Sequence, residues 1–287
     1  MSLIQVIILA IVQGLAELLP VSSSAHVVVA EKLMGLDPSS PPMTLLLVML
    51  HTGTMFAVIV YFWSKWRATY FRDSNTFKRF AVRAIIATIL TAIVGEAIIK
   101  LIEKTLFRNA PHAEIEDLFS HLELIAPALA AAGLLILIAG LREKRNHGGA
   151  LTEAPELDNS QASVIGAVQG LSLPFRGFSR SGVTISAGML AGVAKMRAEN
   201  FSFALAVILT PVVVVRELLR LAHTGVAAAT VSSAMLSSIL GMAFAFLAGL
   251  AALRWLSRWL EQGRWHLFGI YCLVMAGFVY VLHARGY

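Results

Sequence analysis

Six apolar stretches, residues 45–63, 80–101, 122–141, 201–219, 232–253 and 265–282, are each close to the length a bilayer crossing demands, about 20 residues of apolar helix. Two further apolar regions are interrupted. Residues 3–19 stop at Pro20 and a Ser-Ser-Ser run before the chain resumes as apolar residues 25–36. Residues 162–173 stop at Pro174, Gly177 and a polar cluster, and resume at 183–193. Each half is too short to cross alone, and lipid satisfies none of the polar groups at the breaks. Such backbone survives at membrane depth only inside protein or beside a wet cavity. The pattern predicts an all-α integral membrane protein, with six transmembrane helices plus two re-entrant helix–loop–helix hairpins, 3–36 and 162–194.

Composition agrees. Of 287 residues 57% are hydrophobic and 14% charged, with mean hydropathy +0.76. A soluble domain carries about 25% charged residues, so that class is excluded. The apolar content is mostly Ala, Leu, Val and Ile, which suits helices rather than a lipid-facing barrel. The net charge of +6 is not a nucleic-acid signature, because the basic residues sit between the spans. Lys65, Arg67, Arg72, Lys78 and Arg79 follow the first span, Arg142, Lys144 and Arg145 the third, and Arg254, Arg258 and Arg264 the fifth. The loop 102–120 carries Glu103, Glu114, Glu116 and Asp117 against Lys104 and Arg108. The positive-inside tendency makes the three basic groups cytoplasmic and this acidic loop external, so both termini are expected outside. No nucleic-acid partner is expected. The single Cys272 excludes an intramolecular disulfide and a cysteine-based metal cluster. Residues 1–5 carry no Lys or Arg, which argues against a cleaved signal peptide.

The chain also repeats itself. Val12-Gln13-Gly14-Leu15 recurs 156 residues later (168 − 12) as Val168-Gln169-Gly170-Leu171. Each copy is followed by a proline, a serine cluster, a short half-helix and three spans. The polar stretch 143–159 separates a first repeat, 1–141, from a second, 161–287, within one membrane domain. Three spans per unit make the two repeats inverted, so the hairpins enter from opposite sides and their breaks meet near the midplane. Binding sites lie where such breaks meet.

The first break gathers Gln13, Glu17, Ser22, Ser23, Ser24 and His26. Gln13 and Glu17 are one turn apart on the first half-helix, and Ser23 and His26 one turn apart on the second. A hydroxyl within reach of an imidazole or carboxylate is a nucleophile–base arrangement. The plainer alternative has the serines capping a helix while His26 and Glu17 satisfy each other. The second break reads Pro174-Phe175-Arg176-Gly177-Phe178-Ser179-Arg180-Ser181-Gly182. A half-helix starting near Val183 would turn its free N–H groups on the break, as in anion sites. Arg180 adds a fork of donors matched to phosphate; alternatively it pairs with Glu17. Arg176 either joins it or snorkels.

His51, with Thr52 and Thr54, lies inside the first span and lines the cavity or is a hydrogen-bonded core histidine. Arg83 is expected to snorkel, Glu96 and Lys100 to pair one turn apart, and Trp63, Trp66, Trp255, Trp259 and Trp265 to form an interfacial belt.

The residues Gln13-Gly14-Leu15-Ala16-Glu17-Leu18-Leu19-Pro20-Val21-Ser22-Ser23-Ser24-Ala25-His26 resemble the first signature of bacterial undecaprenyl-diphosphate phosphatases of the bacitracin-resistance type. Gly177-Phe178-Ser179-Arg180-Ser181-Gly182-Val183-Thr184-Ile185 is similar to their second signature. The resemblance runs over the whole chain. It implies hydrolysis of undecaprenyl diphosphate to the monophosphate and phosphate, recycling the lipid carrier for cell-wall synthesis and conferring bacitracin resistance. It further implies an inner-membrane location, a site open to the external side, and a divalent cation, Mg²⁺ or Ca²⁺. Carried over, Glu17 matches a required acid and metal ligand, Ser23 the proposed nucleophile, His26 a catalytic histidine and Arg180 the phosphate-binding arginine. Gln13, Ser22, Ser24, His51, Arg176, Ser179, Ser181 and Gly182 are expected to contact substrate. There are two departures. Gln13 stands where the family usually has a second Glu, and an amide neither takes a proton at neutral pH nor binds a hard cation strongly. Phe175 and Arg176 interrupt the family's Pro-Gly, which adds a cation beside the phosphate site.

The expected partners are a polyprenyl diphosphate, the bilayer and a second copy of the chain in a homodimer. Either Ser23 or a water oriented by Glu17 and His26 attacks phosphorus. The alternative function is a polyprenyl-phosphate transporter or flippase, since broken helices in inverted repeats also build transporters.

Overall fold

The computed structural model describes residues 1–37, 40–106, 122–145, 156–223 and 228–286, with side chains described outside 220–233. The acidic stretch 107–121, with Arg108, Glu114, Glu116 and Asp117, and the linker centre 146–155 lie outside the described residues. Among the described residues there are ten α-helices and no strand. They are α1 (Leu3–Leu18), α2 (Ser23–Leu33), α3 (Pro41–Thr69), α4 (Ser74–Leu106), α5 (Leu122–Arg145), α6 (Asn159–Ser172), α7 (Arg180–Leu190), α8 (Lys195–His223), α9 (Ala228–Glu261) and α10 (Trp265–Ala284).

Six of these, α3, α4, α5, α8, α9 and α10, are long and apolar enough to cross a membrane, and each contains one of the expected spans. The chain is a multi-pass membrane protein. The helices outrun the apolar stretches because backbone hydrogen bonding continues into polar residues once water is available. Asp73 begins α4 in this way. Its Oδ1 accepts from the Thr76 N–H at 2.9 Å, and this bond, with another from the Thr76 hydroxyl, holds the carboxyl at a pKa of about 2. The α4 face bearing Val82, Ile85, Ile89 and Ile93 is exposed and suits lipid contact.

The interrupted regions form four short helices. α1 starts with a capping box between Ser2 and Gln5. It stops because Leu19 precedes Pro20 and is driven into extended backbone (φ −77°, ψ 151°). α6 starts on a second capping box, between Asp158 and Gln161.

The helices fall into two compact units, each discontinuous in sequence. The first comprises Met1–Leu19, Ser23–Ser64 and Ala206–Leu256, the second Pro20–Ser22, Lys65–Leu205 and Ser257–Tyr287. In the first unit, Val6, Leu9, Ala10, Val27, Met43, Leu46, Leu50 and Ala245 form a buried core. There α1 lies along α9. A Cβ on Gly14 would stand 2.6 Å from the Ala248 Cβ and 2.7 Å from the Ala245 carbonyl, and one on Gly249 2.9 Å from Leu18. In the second unit α6 lies along α4 in the same manner. A Cβ on Gly170 would stand 2.6 Å from the Thr91 carbonyl, and one on Gly95 3.0 Å from Leu173. The Thr91 hydroxyl bonds the Gly166 carbonyl at 2.9 Å, and Gln169 donates to Thr91 at 3.1 Å. Paired positions rise together in both seams, so each pair of helices is parallel. Gly14 and Gly170 are the repeated glycines, and each is required where two backbones touch.

Candidate functional site

The first break is held by one carboxylate oxygen. Gln13 is buried on α1, and its Nε2 donates to Glu17 Oε2 at 3.2 Å, as the one-turn spacing predicts. The Ser23 hydroxyl, at the start of α2, donates to the same oxygen at 2.5 Å. From α3, His51 Nε2 stands 3.8 Å from it, with the histidine side chain 42% exposed and the glutamate 17%. His51 Nδ1 is 2.8 Å from the Leu47 carbonyl. Thr52 and Thr54 return their hydroxyls to the Val48 and His51 carbonyls of their own helix. Ser24 and His26 are half-buried on the same short helix, His26 one turn beyond Ser23. Of the two bases expected for Ser23, the carboxylate of Glu17 is the one bonded to it.

The loop Pro20–Ser22 belongs to the second unit. Ser22 is buried with φ +68°, a left-handed conformation uncommon for a residue with a Cβ. The Cys272 thiol on α10 donates to the Pro20 carbonyl at 3.3 Å. A Cβ on Gly182 would lie 3.2 Å from the Pro20 Cβ and 2.6 Å from Ile136. The loop of the first break therefore packs on the first turn of α7.

That turn belongs to the second break. α7 starts at Arg180, three residues earlier than the expected Val183, because Ser179 caps it and accepts from the Gly182 N–H at 3.4 Å. Ser179, Ser181 and Gly182 are buried, while Arg176 and Arg180 are half-buried. A helix N-terminus carries unsatisfied N–H groups and a positive partial charge. Beside a guanidinium, this turn is suited to an anion.

Behind α7 lies a buried polar layer that the sequence reading missed. The Thr184 and Ser202 hydroxyls are 2.6 Å apart, and Trp265 Nε1 donates to Ser186 at 2.9 Å. Trp265, expected in an interfacial belt, is fully buried. The indole N–H needs an acceptor when buried, and Ser186 on the polar α7 supplies it. Trp66 is buried too, donating to the Asn200 carbonyl at 3.3 Å, whereas Trp63 and Trp255 are exposed. The serines and threonines of α7 were the available signal for this layer, since a buried hydroxyl must find a partner.

Among the other predicted charges, Glu96 and Lys100 pair at 3.3 Å. Arg83 does not simply snorkel: it joins Arg79 on Glu156, at 3.2 and 3.1 Å. Burial pushes the Glu156 pKa up, and the two arginines outweigh it and lower it.

Comparison with known proteins fixes the relationship. Residues 6–278 match the family described as "Bacitracin resistance protein BacA". The chain belongs to this family. It is 55% identical to "Undecaprenyl-diphosphatase 2" of Acinetobacter baylyi, over 98% of either chain. It is 32% identical to "Undecaprenyl-diphosphatase" of Desulfosudis oleivorans, over 96% of this chain and 97% of the relative. It is 31% identical to "Undecaprenyl-diphosphatase" of Rhodopirellula baltica, over 99% of both. The family match thus runs across both breaks and into the sixth span.

Proposed function

We propose that this BacA-family protein hydrolyses undecaprenyl diphosphate to undecaprenyl phosphate and inorganic phosphate, recycling the lipid carrier for cell-wall synthesis and conferring bacitracin resistance. The supporting observation at the site is the Ser23 hydroxyl donating to Glu17 at 2.5 Å. This is an alcohol with its proton already aimed at a base. Membership and the names of the relatives supply the substrate.

In this reading the terminal phosphate of the substrate meets the Ser23–Glu17 pair, with the lipid tail between helices. Arg180 and the N–H groups of the α7 first turn neutralise phosphate oxygens, assisted by Arg176, Ser179, Ser181 and Gly182. Ser22 and Ser24 contact the substrate from the other break. Glu17 removes the proton from Ser23 as its oxygen attacks the terminal phosphorus, and undecaprenyl phosphate leaves. His26, one turn from Ser23, orients the attacking group. Water then frees phosphate from the serine. In a direct variant, water replaces Ser23 as the nucleophile and Glu17 takes its proton instead.

A divalent cation, Mg²⁺ or Ca²⁺, would supply charge neutralisation on the phosphates. Among the described residues no three His, Cys, Asp or Glu side chains converge to hold an ion. One carboxylate whose Oε2 already accepts two hydrogen bonds makes a poor resident site, so the ion is proposed to arrive on the diphosphate oxygens.

The parallel seams support inverted repeats. With both hairpins returning to their own side, α4 and α9 are the second and fifth crossings and run in opposite directions. α6 follows α4 and α1 follows α9, so the hairpins enter from opposite faces. The basic loops then lie in the cytoplasm, and the termini and the site opening lie outside the inner membrane. The same architecture favours a second reading, a polyprenyl-phosphate transporter.

Phosphate release from undecaprenyl diphosphate by the purified protein in detergent, with and without chelator, decides between them. Release is expected. A folded protein that releases none under any cation condition refutes the hydrolase and leaves the transporter.

A further inference from the structure

We propose that His51 is a second proton-carrying group of the site, acting through Glu17 on the flank opposite Gln13. This rests on the hydrolase reading above. The His51 Nδ1 faces the Leu47 carbonyl at 2.8 Å, and a carbonyl only accepts, so Nδ1 carries the hydrogen. In the neutral ring Nε2 is then a lone pair, and it stands 3.8 Å from Glu17 Oε2. Such contacts are long without substrate and tighten with it, or are bridged by one water.

The chemistry around that oxygen is complementary. Ser23 gives it a proton, and Gln13 donates from an amide that cannot take one. Of these three side chains, His51 is able to receive it. As the oxygen–phosphorus bond forms and the anhydride P–O bond breaks, the nucleophile's proton passes to Glu17 Oε2. It continues to His51 Nε2, restoring the carboxylate for the next proton. The balance is the same whether the proton starts on Ser23 or on water. His51 is the more exposed of the two side chains, at 42% against 17%. Phosphate binding would instead use a donor at Nε2, a role that KM rather than kcat reports. His51 thus fills the acid–base place that Gln13 leaves, as a positioning residue acting through Glu17.

The test uses the full-length protein in detergent, with phosphate release from undecaprenyl diphosphate as the assay. A wild type that releases no phosphate refutes the hydrolase itself, and this inference with it. Given an active wild type, His51→Ala is expected to lower kcat roughly a hundredfold while KM stays within about twofold. Imidazole added to the assay should restore the rate in proportion to its concentration and leave the wild type unchanged. Adding Gln13→Glu to His51→Ala should also restore kcat, because a carboxylate one turn from Glu17 takes the proton instead. The proposal is overturned by a raised KM with kcat retained. It is also overturned if both rescues fail in a variant that melts like the wild type. Should His51→Ala not fold, His51→Gln fills the space with a side chain that carries no proton. Low kcat recovered by Gln13→Glu then supports the relay, and wild-type kcat refutes it.

Discussion

Glu17 is the residue on which the first break turns, because the Ser23, Gln13 and His51 side chains all face its Oε2. If it is the general base, Glu17→Gln keeps the shape and the amide–hydroxyl contacts but removes proton affinity, and phosphate release should vanish. Gln13→Ala removes only an orienting bond and should lower kcat by less than about tenfold, in keeping with a neutral hydrogen bond worth roughly 1 kcal/mol. A fully active Glu17→Gln protein would move the acid elsewhere. Arg180 offers a second residue-scale test. Arg180→Lys keeps the charge and loses the bidentate fork, so kcat/KM should fall by the equivalent of roughly 2 kcal/mol. Kinetics equal to wild type would reduce the arginine to a point charge. The residues at both breaks were legible in the sequence, since polar groups inside apolar runs are costly unless they serve a purpose. That Glu17 rather than His26 bonds Ser23 was not, because half-helix spacing says nothing about the turn between two half-helices.

At the scale of elements, the short helices owe their place to contacts rather than to their own hydrogen bonds. Helices of 11 residues, like α2 and α7, are marginal in isolation. They pack on α1 and α6, which are held in seams where Gly14 and Gly170 let backbones touch. Gly14→Leu should therefore overpack the α1–α9 seam and cost about 1–3 kcal/mol, measured as a lowered unfolding temperature in detergent, whereas Gly277→Leu, at a position open on the surface, should change little. The start of α4 supplies a pH-dependent element. The Asp73 pKa is lowered from 3.8 to about 2 by its bonds from Thr76. A depressed carboxyl stabilises the folded state above its unfolded pKa and loses that contribution as pH falls through the folded one. Unfolding temperature should drop between about pH 4 and 2 in the wild type, and that part of the drop should be absent in Asp73→Asn.

For the molecule as a whole, the charge of its loops predicts its direction in the membrane. The exposed Lys78 lies in a basic stretch read as cytoplasmic, and the exposed Lys104 in a stretch read as external. Cys272 is buried, so an introduced cysteine reports against a low background. In intact cells a membrane-impermeant maleimide should label Lys104→Cys and spare Lys78→Cys, with both labelled after lysis. The reverse pattern would invert the topology and put the site on the cytoplasmic side.

By itself the sequence determined that the protein is helical and membrane-embedded, which six stretches are long and apolar enough to cross, and where two helices break. Those properties follow from the free energy of placing each residue in lipid, which adds along the chain and needs no knowledge of neighbours. The repeated Gln-Gly pairs and the two signatures were local as well. Only tertiary structure decided which carboxylate meets Ser23, that α7 starts at Arg180, and that Trp265 turns inward to Ser186 rather than toward the interface. It also decided that the loop after Pro20 packs on the α7 first turn. These contacts, with the Cys272–Pro20 bond, join residues as many as 252 positions apart. Their energy depends on the fit of facing surfaces and on the partners a buried polar group finds, and neither is encoded at one position.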